Sequence, residues 1–515
     1  MSGLFGSFNV AVKGLNANQT ALHTTGHNIA NANTPGFNRQ RVELKADVPY
    51  TLSGVGQLGT GVRIQSVVRV VDEFVDLQIR NENSILAQNQ AQYDTIGQIE
   101  MVFNEPSNTG LNFAMGEMFN AWQELSKNPE SLNAKSIVVD KSKAFADSLN
   151  HMASRADQLK GDVVNNISKN VFDVNSLVSQ LKTVNDQIAN IQIKGHSAND
   201  LMDTRDHILE KLSGLADITT TYDKWGRAGV TLGGEVVTSA TNEKVLSNIS
   251  AVNKNEDGTF KVEIQVGGDF TKVQTIDGVT EEELNNLKVG TPVFFTPPES
   301  GEPTMANLSD AKISSGAIGG NVNSIREIED RIDDLSTFAN GVQFMFNKIH
   351  NVGDSGEDFF TGNGALNFTV NTKLIEDEGL VKTGFAEGSP VGDGSRALAI
   401  ANLRTTKIDF KNLGNNNYDE SSMKISSSTT STTMEGAYGD IVIKVGVKTE
   451  QASNMMDNQT AVLAQLFNRR ESVSGVSIDE EVTNLLKFQR SYEANSRVMN
   501  TINEMLDTLI NRTGV

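Results

Sequence analysis

The sequence predicts an α+β multidomain protein. It combines a terminal α-helical coiled coil and a long helical bundle with inserted β-rich lobes, so that the domains are discontinuous. Three observations carry this. Both chain ends repeat apolar residues at alternating steps of three and four. From Val71 to Leu215, and again from Asn321 to His350, the periodicity is helical over stretches longer than the average globular helix. After each of these the composition shifts to Thr, Val, Gly and Pro, giving the order helix, β, helix, β, helix.

At the N-terminus Leu4, Phe8, Ala11, Leu15, Asn18, Leu22, Thr25 and Ile29 form a 3.5-residue seam. Between Ser2 and Asn33 only Lys13 carries a full charge, and Gly6, Gly14 and Gly26 each cost about 1 kcal/mol relative to Ala in a helix. Such a helix has little stability alone, so it is expected to order against other helices on several sides. It ends at Asn31-Ala32-Asn33-Thr34-Pro35-Gly36-Phe37, where Thr34 precedes proline and Pro35-Gly36 turns the chain.

Residues 41–71 alternate and predict short strands, and 71–103 a helix with Phe74, Val75, Ile79, Leu86, Tyr93, Ile96 and Ile99 on one broad face. Pro106 ends it. Helices are expected over 110–127, 132–160, 162–193 and 199–214, separated at Asn128-Pro129, near Gly161 and at Gly195. Residues 216–310 read as β-structure, with 250–310 as an inserted lobe that holds four of the nine prolines between Pro292 and Pro303. Helix returns over 321–350. A β- and loop-rich region follows, including the Ser/Thr tract 421–433, and helix resumes near Glu450. Ser477 and Glu480 predict a capping box, Asp479 to Glu481 suit the helix dipole, and Arg512 and Gly514 close the last helix. Along it Leu485, Phe488, Tyr492, Asn495, Met499, Ile502, Leu506 and Leu509 repeat the seam. Each terminal seam supplies the other's partner, with Asn18 and Asn495 read as register-setting residues. The expected division is therefore a terminal coiled-coil assembly domain (1–45 and 474–515) and a helical rod-like domain (46–215, 311–350 and 450–473). A β-rich inserted lobe (216–310) and a second β/loop-rich region (351–449) complete it.

Formal net charge is −20 and the isoelectric point about 4.8, which argues against nucleic acid or anionic membrane as partners. The chain has no cysteine, so disulfides, thiolate metal sites and thiol nucleophiles are excluded. No stretch approaches the ~20 apolar residues of a membrane-spanning helix, and no cleavable secretory signal is expected from the first 20 residues.

Three patterns invite chemistry. Gly54-Val55-Gly56-Gln57-Leu58-Gly59 fits G-x-G-x-x-G, but a strand follows where a nucleotide-binding helix is required, so a glycine-rich hairpin turn is expected. His23 and His27 have the spacing of zinc ligands without the glutamate of H-E-x-x-H or an evident third ligand. The loop Asp354-Ser355-Gly356-Glu357-Asp358 could hold calcium but lacks the ligand ladder of an EF-hand. No metal, cofactor or catalytic residue is expected, and no enzyme.

Ala30 to Val42 (ANANTPGFNRQRV) and Ser474 to Arg512 resemble the terminal signatures of the bacterial flagellar rod and hook axial proteins. Three internal stretches, Val184 to Leu215, Ser314 to His350 and Gly353 to Phe360, resemble the hook-associated protein 1 family, the first hook–filament junction proteins. The resemblance does not extend over about 240–310 or 361–450. It implies a structural subunit joining hook to filament, needed for filament assembly and exported uncleaved by the flagellar type III system to an extracellular location. It also implies self-association into a helical tube, with hook protein, hook-associated protein 3 and a cytoplasmic chaperone on the C-terminal helix as partners. Terminal seams that need neighbours are expected to be disordered in the free monomer over roughly 1–40 and 475–515. Hook protein itself, or an adhesin or hydrolase activity on the β-lobes, are the alternative readings.

Overall fold

A helix with one charged side chain persists here because two layers cover it. The computed structural model describes residues 4–511, apart from 53, 55, 104–109, 240–242, 285–286, 299, 352–355, 387, 411, 415–416 and 426–430. In it α1 (Leu4–Ala30) packs against the C-terminal helix on one side and a β-ribbon on another. The ribbon consists of β1 (Gln40–Ala46), β2 (Tyr50–Leu52), β3 (Gly56–Leu58) and β4 (Val62–Arg69). β1 pairs antiparallel with β4, with a bulge between Glu43 and Leu44, and β2 with β3. Lys13 donates to Asp47 at 2.6 Å, so the one cation of α1 is held by the ribbon.

The rod begins with α2 (Glu73–Phe103), α3 (Leu111–Lys127), α4 (Leu132–Gln192) and α5 (Asn199–Leu215). Ser131 caps α4 by accepting from the Ala134 N–H. The expected break near Gly161 is absent, and α4 is one helix of 61 residues. Gly161 is exposed, and its cost of about 1 kcal/mol is outweighed by Leu159, Val163 and Val164 buried on either side. Phe74 also departs from expectation. It is exposed, whereas Val75 and Ile79 beside it are buried.

β5 (Ile218–Tyr222), β6 (Ala228–Leu232) and β7 (Glu235–Val236) form an antiparallel sheet whose Ala228, Val230 and Leu232 join the rod's core. A separate five-stranded antiparallel sheet follows: β8 (Val245–Lys254), β9 (Phe260–Gln265), β10 (Val273–Val279), β11 (Pro292–Phe295) and β12 (Leu308–Asp310), in spatial order β10-β9-β8-β11-β12. The short helix α6 (Glu281–Leu284) lies between β10 and β11. This sheet has its own core of Ile249, Val262, Ile264, Ile276, Val293 and Phe295. It is tied to α4 by Ser168, which bonds Gln265 and accepts from Asn248 at 2.9 Å. Structurally, the inserted lobe is thus 245–310, and 216–237 packs as part of the rod.

α7 (Gly316–His350) starts five residues earlier than the periodicity suggests and returns to the rod along α2 and α4. The region after it is less β-rich than expected. It holds only two-residue strand pairs among the described residues, β13 (Phe360–Thr361) with β14 (Thr369–Val370) and β15 (Tyr418–Asp419) with β16 (Lys424–Ile425). Two short helices, α8 (Thr372–Glu376) and α9 (Ser395–Asn402), separate the pairs. Aromatic packing supplies what strand pairing does not: Trp122 meets Phe359 edge-on at 5.1 Å, and Phe360 stacks on Phe368 at 4.6 Å. α10 (Met434–Ser474) begins well before residue 450, capped by Thr433 from the end of the Ser/Thr tract. It packs along α2, and α11 (Ile478–Asn511) completes the chain.

Candidate functional site: the terminal helix pair and its anchor

Local sequence makes two amphipathic helices, and the turn at Gly475 folds the second back onto the first. α1 and α11 are antiparallel and in constant register. Asn28 bonds Glu481, and Gly14 faces Asn495, a step of fourteen residues along each helix. At Gly14 the missing side chain leaves room for the Asn495 amide: a Cβ there would lie 2.7 Å from Asn495 Oδ1. Asn18 donates to the Gly14 carbonyl at 2.7 Å, and Asn495 donates to the Ser491 carbonyl at 2.9 Å. Both polar seam residues therefore bear on Gly14, where a slip of one turn toward the N-terminus would place the Asn495 amide against Val10 or Ala11.

The seam residues divide by exposure. Ala11, Leu15 and Ile502 are buried, and Thr25 joins them. Leu4, Phe8, Asn18, Leu22, Ile29, Leu485, Phe488, Asn495, Met499 and Leu506 are half-buried. Tyr492 is exposed, and Leu509 is 56% exposed. In this register Leu4 lies opposite Met505, so Leu509 projects past the first described residue of α1. The C-terminal stop at Arg512 and Gly514 lies outside the described residues. The capping box is half made: Ser477 Oγ accepts from the Glu480 N–H at 3.5 Å, while the Glu480 carboxylate turns to Arg39 at 3.0 Å.

The turn motif leads into a buried polar knot that periodicity could not show. Asn31 accepts from Thr34 Oγ1, and Phe37 lies edge-on to His27 at 5.4 Å. Gly36 adopts φ +79°, with a virtual Cβ 3.2 Å from His207 Cβ on α5. Asn33, Thr34 and Pro35 are exposed. Immediately beyond, fully buried Asn28 donates to the Gln40 carbonyl and to Glu481 Oε2, both at 2.9 Å, and its Oδ1 accepts from the Gln40 N–H. Arg39 donates through Nε to Glu481 Oε1 at 2.9 Å, and its N–H to the Ser474 carbonyl at 3.0 Å. Glu481 is only 2% exposed, so its charge rests on these donors. A second cluster fastens the ribbon to α5. Arg69 bridges Asp203 and Asp206 at 2.8 Å each, and Asn38 donates to Asp203 at 2.6 Å. Burial pushes the Asp203 carboxyl above its ordinary range against these donors, and burial with the nearby Asp206 charge does the same to Asp76.

Asn28, Arg39, Gln40, Ser474, Asp203 and Asp206 were not singled out from the sequence, and Glu481 was read only as suiting the helix dipole. Most lie inside the stretches around the turn motif, the start of α11 and α5, which are distant in sequence and meet here in space.

The chemical candidates resolve into structure. Gly54 and Gly56 have positive φ in the β2–β3 turn, and β4 follows; Ser53 and Val55 lie outside the described residues. His27 contacts Asp200 at 3.3 Å and Asn31, and His23 is exposed. In the acidic loop, 354–355 lie outside the described residues, Glu357 pairs with Lys373 at 2.6 Å, and Asp358 accepts from Asn351. Among the described residues no group of three or more potential ligands is placed to hold a metal, and no helix is long and apolar enough to cross a membrane.

Family models place these parts. Residues 8–38 match the flagella basal body rod protein model, and 470–512 the flagellar basal body rod FlgEFG protein C-terminal model. The helix pair and its turn thus carry the two signatures of the flagellar axial class, a class of structural proteins. Residues 96–360, just over half of the chain, match the flagellar hook-associated protein FlgK helical domain. The chain is 28% identical to flagellar hook-associated protein 1 of Bacillus subtilis, over 100% of this chain and 99% of that one. It is 25% identical to the Escherichia coli protein of that name, over 98% and 99% respectively. The solved flagellar hook junction protein FlgK from Burkholderia pseudomallei is similar in fold, with a TM-score of 0.57 at 13% identity, covering 77% of this chain and all of that one. The chain belongs to the flagellar hook-associated protein FlgK family.

Proposed function

We propose that this chain is the structural subunit that joins the flagellar hook to the filament and is needed for the filament to assemble. The observation that carries the reading is the terminal helix pair, sewn to the rod by buried polar bonds at its base yet covered by its own chain on one face of α11 only. A heterologous, non-closing contact between such helix pairs of neighbouring subunits gives a helical tube rather than a closed ring. The terminal assembly domain (1–45 and 474–515), with its seam and turn residues, is the part we assign to that contact. Hook protein below, hook-associated protein 3 above and a cytoplasmic chaperone on α11 before export are the partners, and export proceeds through the flagellar type III apparatus without signal cleavage. The role is mechanical, not enzymatic.

Deletion of the gene tests this. Electron microscopy should show complete hooks without filaments, with flagellin free in the medium. Missing or overlong hooks would point to hook protein or to length control, and normal flagella would refute the proposal.

A further inference from the structure

In a chain of formal charge −20, a cation without a carboxylate partner is an anomaly, and three of them meet at one place. Between the start of α4 and the segment leading into α9 lies a cavity of about 320 Å³, lined by Lys135, Lys382, Thr383, Gly384 and Ser389 among others. Lys135 donates to the Gly379 carbonyl at 3.1 Å, and Lys382 is exposed. Bonded to the cavity wall, Arg396 is only 2% exposed and gives its N–H groups to the carbonyls of Gly384, Phe385 and Ile349. None of these three side chains makes an ion pair with a described residue. Burial first, and then the charges of Arg396, Lys382 and Lys135, oppose protonation of His350, whose ring accepts from the Lys382 N–H. The carboxylates around the cavity are engaged elsewhere. Asp393 accepts from the Phe385 and Ser395 N–H groups, Asp377 from the Gly379 N–H and Glu378 from Ser136 Oγ. Glu130, which also lines the cavity, is exposed to water.

We propose that this cavity is an anion site that takes a small tetrahedral oxyanion of the inorganic phosphate class between Lys135 and Lys382. Burial and the Lys382 charge hold the Lys135 ammonium below its ordinary range, so an anion between the two relieves a repulsion as well as accepting their bonds. Lysine binds phosphate as a point charge, and no guanidinium fork faces the cavity to select a planar carboxylate. Ser389 Oγ accepts from the Ala386 N–H and keeps its own proton to donate. Arg396, whose partners are all neutral carbonyls, gains from an opposite charge on the far side of Gly384. A bound anion fastens the segment 379–391 to α4. The site is independent of the junction reading and of the terminal helices.

Titration of the full-length protein with inorganic phosphate tests it, by calorimetry at constant ionic strength with chloride as the balancing anion. Binding should saturate at one anion per chain, sulfate should compete, and the thermal midpoint should rise with phosphate but not with chloride. Lys382→Ala removes an exposed side chain without disturbing the core and should weaken binding about tenfold or more, as loss of one charge-assisted bond requires. Lys135→Met should do the same, whereas Lys194→Ala, an exposed lysine at the opposite end of α4, should leave binding unchanged. No saturable binding, equal weakening by Lys194→Ala, or binding that survives both cavity substitutions would overturn the proposal. Acetate binding as tightly as phosphate would overturn the assignment to a tetrahedral oxyanion.

Discussion

Glu481 should decide whether the base of the terminal helix pair is folded in a free subunit. Its carboxylate accepts from Asn28 and from Arg39, both at 2.9 Å, at a position 2% exposed. A hydrogen bond to a charged group contributes about 1.5–3 kcal/mol. The Arg39 share is discounted because its side chain is 27% exposed and keeps Glu480. Glu481→Ala should therefore weaken closure of the base by about 3 kcal/mol, leaving buried Asn28 with an unmatched donor. Hydrogen exchange on the dilute monomer reads this directly. In the unaltered protein, amides around 24–30, 40–44 and 478–488 should be protected, while 4–13 and 496–511 exchange quickly because their outer faces lack neighbours. That narrows the sequence-based expectation of disorder over the whole of both ends. Glu481→Ala should speed exchange at the base about a hundredfold and leave the Trp122 core untouched. Equal, fast exchange of base and tip before substitution, or no change after it, would refute the reasoning.

Gly36→Val puts a β-branched residue at φ +79° against His207 and should destabilise the turn by about 2 kcal/mol, raising tryptic cleavage at Arg39 and Arg41 by more than tenfold. His350 is fully buried, with Nδ1 bonded to the Glu357 carbonyl and Nε2 accepting from the Lys382 N–H, and burial lowers its pKa to about 4. The unfolded chain takes up this proton near pH 6.5 and the folded one near 4, so stability falls as pH drops through that window. Lowering the pH from 7 to 5 should cost about 2 kcal/mol from this group, and urea titration of wild type against His350→Gln should show the slope only in the former.

Sequence alone determined the terminal helices, their seams, the turn at Pro35-Gly36 and the helical rod. These follow from nearest-neighbour periodicity and from backbone rules that act within a few residues. Gly161 shows where such rules end. A local helix penalty of about 1 kcal/mol is real, but burial on both sides of it outweighs it, and burial is set by the other helices. The β-character expected over 351–449 failed for a similar reason: Phe359 and Phe368 pack into the rod's aromatic core, and Phe360 joins them from a strand only two residues long. Only the tertiary structure brought Asn28, Arg39 and Glu481 together, because a buried carboxylate and its donors leave no spacing in a sequence when hundreds of residues separate them. It also showed which seam residues α1 leaves uncovered. Periodicity identifies an apolar face, but what lies across from that face is a fact of three-dimensional register.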